Sequence, residues 1–364
     1  MDSIELRHII HQNPELSFQE YKTQELLKKA IEEIGVKVYP IVQTGLIVPI
    51  KRTDVPYILL RADMDALPIR EKTGWKFSSK NNYMHACGHD VHMAIMYEVM
   101  KAIYKWTGNF IFVFQPAEES GGGASRVIEE IKDKYEICCA IAVHVTDEYP
   151  FGTVATNSGV IFASATEINL TFNGKAAHIA FYKDGIDAIK TGVDFLQQFY
   201  SVEFEDKVLA GFGKVFGGNA RNIVADEFQL QGTIRADSIE KSNTVYEKIY
   251  EIARNASERT GSNFSLEKGS FYAPVKVDKR MFDIFSSTVG QSDFKLERCE
   301  MKYTGEDFGF FSYEYPSLIF WAGTMEKARH GLHNPMFLPN DKVIKPIANL
   351  IVSYVKSIMK ENAH

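Results

Sequence analysis

Tyr57-Ile-Leu-Leu-Arg-Ala-Asp63 is a continuous apolar run that stops on charge, and it fixes the reading of the whole chain. An unbroken run with no polar alternation suits a strand buried on both faces, as in a parallel sheet covered by helices. Asn109-Phe-Ile-Phe-Val-Phe-Gln115 and Ile137-Cys-Cys-Ala-Ile-Ala-Val-His144 have the same form. Helical periodicity separates the three, through Ala94, Ile95, Val99 and Ile103 between the first two. Each run ends in groups that bind metals or move protons. In an open α/β sheet, sites gather beyond the carboxyl ends of the strands, so these groups are expected to converge.

The densest chemistry lies in Met84-His-Ala-Cys-Gly-His-Asp-Val-His92, which the spacing places where a loop enters a helix. Cys87 and His89 flank one glycine, so both can reach a single centre while Gly88 permits close backbone approach. Thiolate and imidazole suit zinc and its neighbours. Two ligands do not complete a site, and the strand ends supply the rest. Glu118 and Glu119 follow the second strand and precede Gly121-Gly-Gly123; His144 ends the third; His333 lies in a C-terminal loop.

Two adjacent carboxylates in one pocket repel unless a cation separates their roles, with one binding it and the other left free to take a proton from water. Cys87, His89, Glu119, His144 and His333 are five ligands, more than one tetrahedral metal with an open position needs. Two divalent ions roughly 4 Å apart, bridged by the Cys87 thiolate, fit that count. The donors accommodate zinc, manganese, cobalt or nickel. Asp63 is expected to orient a ligand histidine. His85, His92 and His330 are read as structural or supporting groups, and His8, His11 and His364 as structural or surface residues.

The chain has 364 residues and a formal net charge of −6, enough for two domains and without a basic field for nucleic acid. Four cysteines with no spaced framework argue against a disulfide-stapled secreted protein. No leader-like or membrane-spanning run is evident, so the expectation is a cytoplasmic enzyme with neither a membrane nor a nucleic-acid partner. Cys138 and Cys139 fall inside a buried strand, where alternating side-chain directions should keep their thiols apart, as core residues.

At the N-terminus, Ile4 to Gln12 reads as a helix, and Ser17-x-x-Glu20 as a capping box opening a second. After about Phe162 the pattern becomes βαββαβ, a split βαβ unit. The organisation is thus α/β: a discontinuous, mostly parallel-sheet catalytic domain, 1–162 and 274–364, with an inserted ferredoxin-like α+β domain, 163–273.

Taken together, Arg61-Ala-Asp-Met-Asp-Ala-Leu-Pro68, His85-Ala-Cys-Gly-His-Asp-x-His92 and Phe114-Gln-Pro-Ala-Glu-Glu119 make the chain resemble the M20 metallopeptidase family, specifically its amidohydrolase branch. The resemblance spans essentially the whole chain. It implies a di-metal hydrolase of small N-acyl amino acids in which Glu119 with His333, and His89 with His144, complete the two metals bridged by Cys87. Glu118 is then the general base and Asp63 the supporting acid. It further implies that the inserted domain is a lid and homodimer interface, with His178 stabilising an oxyanion and Asn222 and Arg235 holding a substrate carboxylate. Within the branch, Thr304-Gly-Glu-Asp-Phe-Gly309, the compact length and Gly152 to Gly159 are most similar to the N-acetyldiaminopimelate deacetylases of lysine biosynthesis. Broader aminoacylase, hippurate hydrolase or dipeptidase activity is the alternative. Ala176-Ala177 and Tyr182 depart from the glycine and proline common in relatives around the lid histidine.

Overall fold

The computed structural model describes residues 1–361; His364 lies outside them. The chain divides into two compact units. The first comprises Met1–Ile161, Val275–Glu300 and the described residues from Asp307 onward; the second comprises Phe162–Pro274 and Met301–Glu306.

In the first unit an eight-stranded sheet runs edge to edge through Tyr39–Ile41, Gly45–Ile50, Phe110–Gln115, Tyr57–Asp63, Ile137–Pro150, Ser317–Met325, Thr153–Thr156 and Lys295–Arg298. Its four middle strands, from Phe110–Gln115 to Ser317–Met325, are mutually parallel. Phe110, Ile111, Phe112, Leu59, Leu60 and Ile141 are each buried, as continuous apolar runs covered on both faces require. Helix His89–Ile103 supplies part of that cover, and Ile344–Glu361 packs against that helix. Among the described residues, no helix is long and apolar enough to cross a membrane.

Three local expectations are corrected. The Tyr21–Glu33 helix has no side-chain cap. Ser17 donates instead to Asp65 Oδ2 at 2.6 Å, and Glu20 accepts from Thr44 Oγ1 at 2.5 Å and the Ala117 amide at 2.9 Å. The loops beyond the strand ends thus hold the groups that a capping box would use. The third central strand does not end at His144 but continues to Pro150, because Ser317–Met325 keeps pairing with it past Trp321↔His144. Finally, Cys138 and Cys139 do not alternate. The register shifts between Tyr57↔Ile137 and Ile58↔Cys139, leaving Cys138 as the extra residue of a β-bulge and bringing the two Sγ atoms to 3.8 Å.

The second unit is an antiparallel sheet ordered Asn263–Tyr272, Ser164–Asn173, Glu227–Ala236, Val208–Gly217, with helices Ala188–Phe199 and Ile239–Thr260. Its core is aromatic. Phe195 is fully buried, with its ring 5.6 Å from Phe172 and 5.5 Å from Phe212. Phe195→Ala should cost about 3–5 kcal/mol, the usual range for emptying such a site. Hydrogen exchange should then show lost amide protection in residues 164–272, with little change across the first unit's central strands.

Candidate metal centre

Gly88 decides how the ligand loop enters its helix. Its φ is +86°, and a Cβ there would lie 2.4 Å from Val145 Cγ2, so glycine alone fits the close approach of loop and strand. Cys87 and His89 are thereby held beside the strand that carries His144, with Cys87 Sγ 3.4 Å from His144 Nε2. The loop with Glu118 and Glu119 turns through Ala117 at φ +54°. At its far end, a Cβ on Gly123 would fall 1.7 Å from the Pro116 carbonyl oxygen. His333, also in the left-handed region at φ +61°, is tied to the same place by its amide, which donates to the Ala86 carbonyl at 2.9 Å.

These elements gather two triads of potential ligands: Cys87, His89 and His144, and Cys87, Glu119 and His333. In each, one donor atom per residue lies within 4.8 Å of the others, and Cys87 belongs to both. Glu119 Oε1 is 3.4 Å from His333 Nε2 and 3.8 Å from His89 Nε2. Glu118 Oε2 is 3.9 Å from His89 Nε2. Cys87, His89, Glu118 and His144 are buried, whereas the His333 side chain is half exposed.

The outward-turned nitrogens of the two buried histidines are already fixed. His89 Nδ1 donates to the Asp65 carbonyl at 2.9 Å and His144 Nδ1 to the Val145 carbonyl at 2.8 Å, so in its neutral form each presents Nε2 as a lone pair. His92 differs. Its Nδ1 donates to Asp63 Oδ1 at 2.7 Å while its Nε2 accepts the Val145 amide at 2.8 Å, which leaves no lone pair for a metal. Asp63 accepts from His92 on Oδ1 and from Arg61 on Oδ2, and reaches His89 only at 3.6 Å, from Oδ2 to Nε2.

A cation fits this donor set. His89 Nε2 and Glu119 Oε1 are buried without a hydrogen-bond partner, on atoms that face one another across the cluster. Burial, followed by the Glu119 and Glu118 carboxylates, pushes the Cys87 thiol well up, an anionic crowding that a divalent ion reverses. Against the cost of burial, Asp63 and Asp65 raise His89 to about 10. Burial and the neighbouring His92 hold His144 well down.

Asp65 is the residue that the sequence reading missed. Its Oδ1 accepts the Glu118 amide at 3.1 Å, its Oδ2 accepts the Glu119 amide at 3.0 Å, and its carbonyl orients His89. The signal was present in its place two residues after Asp63. In the second unit, His178 is exposed and its Nδ1 accepts the Ala180 amide at 3.2 Å. The neighbouring Ile179 amide donates to the Asn222 carbonyl at 2.9 Å, so these two loops lie together. Arg235 is half-buried on the Glu227–Ala236 strand.

Comparison with known proteins agrees with this geometry. The model of peptidase family M20/M25/M40 matches residues 59–357. An N-acetyldiaminopimelate deacetylase of Exiguobacterium sibiricum is 35% identical over 367 residues, covering 97% of this chain and 98% of the relative. One from a Geobacillus species is 33% identical, with 97% and 96% covered. Among solved structures, a Bacillus subtilis protein described as a dinuclear metal-binding peptidase of the M20 family superposes with a TM-score of 0.86 at 26% identity, covering 99% of this chain and 98% of that one.

Asp65→Asn keeps the shape of the side chain but exchanges one of two acceptor oxygens for an amide donor. It should weaken metal binding by about 10- to 100-fold, as loss of a ligand-orienting partner typically does. Gly88→Ala should do at least as much. Competition with a chromogenic chelator measures both, and retained far-ultraviolet circular dichroism separates the effect from unfolding.

Proposed function

The chain belongs to peptidase family M20/M25/M40 and is a hydrolase, and from that premise we propose that it removes the acetyl group from N-acetyl-LL-2,6-diaminopimelate. The observation carrying the chemistry is the pair of ligand triads that share one thiol, with a second carboxylate, Glu118, alongside. The substrate is supported by the names of relatives aligned over nearly the full chain.

Cys87, His89, Glu119, His144 and His333 would hold two divalent ions, which when bound supply Lewis acidity toward the amide carbonyl and make a water more acidic. Glu118 is our general base. Buried but for 8% of its surface, it sits in the group formed with His89 and Glu119, where it would take a proton from the attacking water. The same carboxyl then returns that proton to the amine nitrogen as the C–N bond breaks, yielding acetate and the free diamine. For the second unit we assign His178 to the developing oxyanion, and Asn222 with Arg235 to a substrate carboxylate, for which the Arg fork is suited.

That unit also exposes apolar side chains: Leu209, Val215 and Phe216 on its edge strand Val208–Gly217, and Ile189 and Val193 on the Ala188–Phe199 helix. The free edge of that strand, with exposed apolar side chains on it, supports pairing with a second copy. Sedimentation equilibrium should find a dimer that Leu209→Lys with Phe216→Lys converts to monomer; a wild-type monomer rejects this assembly.

Glu118→Gln should retain full metal content while kcat falls by about 10²- to 10⁴-fold, the usual contribution of a positioned base. Near-normal turnover would remove Glu118 from that role. Acetate release by metal-loaded enzyme, compared across N-acetyl-LL-diaminopimelate, N-acetylmethionine, hippurate and a dipeptide, tests the substrate. A chelator-sensitive preference for the first is expected; equal or better rates on the others would replace the substrate and keep the mechanism.

A further inference from the structure

The bulge at Cys138 creates a feature that hydrolysis does not use. Cys138 and Cys139 are both free thiols with sulfurs 3.8 Å apart, Cys139 buried and Cys138 half-buried. They sit near the start of the strand that later carries His144. Six residues at about 3.3 Å each place that ligand some 20 Å farther along.

The backbone bears on which chemistry the pair takes. Consecutive Cα atoms across a trans peptide are about 3.8 Å apart, short of the roughly 4.4–6.8 Å that disulfides span, so a bond between the two sulfurs would be strained and readily reduced. A soft centre bound by both sulfurs at once needs no such contraction. Thiolates favour soft, thiophilic elements, and two adjacent thiols add a chelate advantage through high effective concentration. Contact with Cys139 lowers the pKa of Cys138, while that of Cys139, in contact with Cys138 and buried, goes well up. Cys138 Sγ is anchored against the Tyr57 carbonyl at 3.3 Å, which holds it at the bulge.

We propose that Cys138 and Cys139 form a dithiol site that chelates a trivalent, thiophilic arsenical, separate from the metal centre. With phenylarsine oxide as the probe, both thiols add to arsenic and its oxygen leaves as water, taking the two S–H protons. Two As–S bonds form, arsenic stays trivalent, and no oxidant or reductant is consumed.

The test uses metal-loaded enzyme in excess monothiol, which keeps the cysteines reduced and displaces arsenicals held by single thiols. Intact-mass measurement should find one phenylarsenic group per chain, released by 2,3-dimercaptopropanol, with the metal content unchanged. Cys138→Ser and Cys139→Ala should each weaken binding by about 100-fold or more, the loss of a chelate, while Cys299→Ser should bind as wild type. No adduct, an adduct that survives either bulge substitution, or one that displaces the bound metals would overturn the proposal. Because the readouts are mass and metal content, failure here leaves the hydrolase assignment standing, and failure of that assignment leaves this one.

Discussion

The carboxylate of Asp65 is the constraint on which the site depends. It accepts the amides of both Glu118 and Glu119, so the loop that must carry two adjacent acids is held by its backbone and not by its side chains. Bonds of an amide to a charged acceptor contribute about 1.5–3 kcal/mol each. The turn they stabilise has Ala117 in the left-handed region, at a cost on the order of 1–3 kcal/mol. Two such bonds, with the Glu20 bond to the Ala117 amide, outweigh that strain. The side chains of Glu118 and Glu119 are then left to point toward His89.

This explains what could be read in the sequence and what could not. The parallel strands were legible because burial on both faces demands unbroken apolar runs, and Tyr57–Asp63 and Phe110–Gln115 have no competing pattern. The βαββαβ order of the second unit was legible for the complementary reason, since helix and strand periods alternate cleanly there. Cys87, His89 and His144 stood out by their donor chemistry and not by strand ends, since Cys87 and His89 flank Gly88 where a helix begins and the strand of His144 runs on to Pro150. Ser17 and Glu20 misled because a capping box is a local rule, and here the same oxygens serve Asp65, Thr44 and the Ala117 amide from a distance in sequence. Cys138 and Cys139 misled because strict alternation assumes an unbroken ladder, and a bulge depends on the partner strand's register, which one strand's sequence does not contain.

The remaining buried charges show how the protein treats an acid when no cation-binding role is involved. Asp63 meets Arg61 at 2.7 Å, and the same guanidinium reaches Asp307 at 2.7 Å and Gln115 at 2.9 Å. Asp90, one residue after His89, meets Arg7 at 2.9 Å and His11 at 2.8 Å, fixing the helix start from behind. Burial works against charge on His11, yet Asp90 and Glu71 raise it to about 8, so the pair stays ionic at neutral pH. Each of these carboxylates has a basic group of the protein at hydrogen-bond distance.

Glu119 stands apart from that pattern. The basic groups nearest its Oε1, on His333 and His89, are 3.4 and 3.8 Å away, too far for good hydrogen bonds. Leaving a buried acceptor unsatisfied costs about 1–3 kcal/mol, more when it is charged. A chain that supplies arginines to Asp63 and Asp90 but surrounds Glu119 with imidazoles and a thiol has chosen donors whose lone pairs face inward. Arginine would neutralise the acid and close the site; histidine and cysteine balance it only together with a cation. The choice of partner at each buried acid therefore separates the scaffold from the centre.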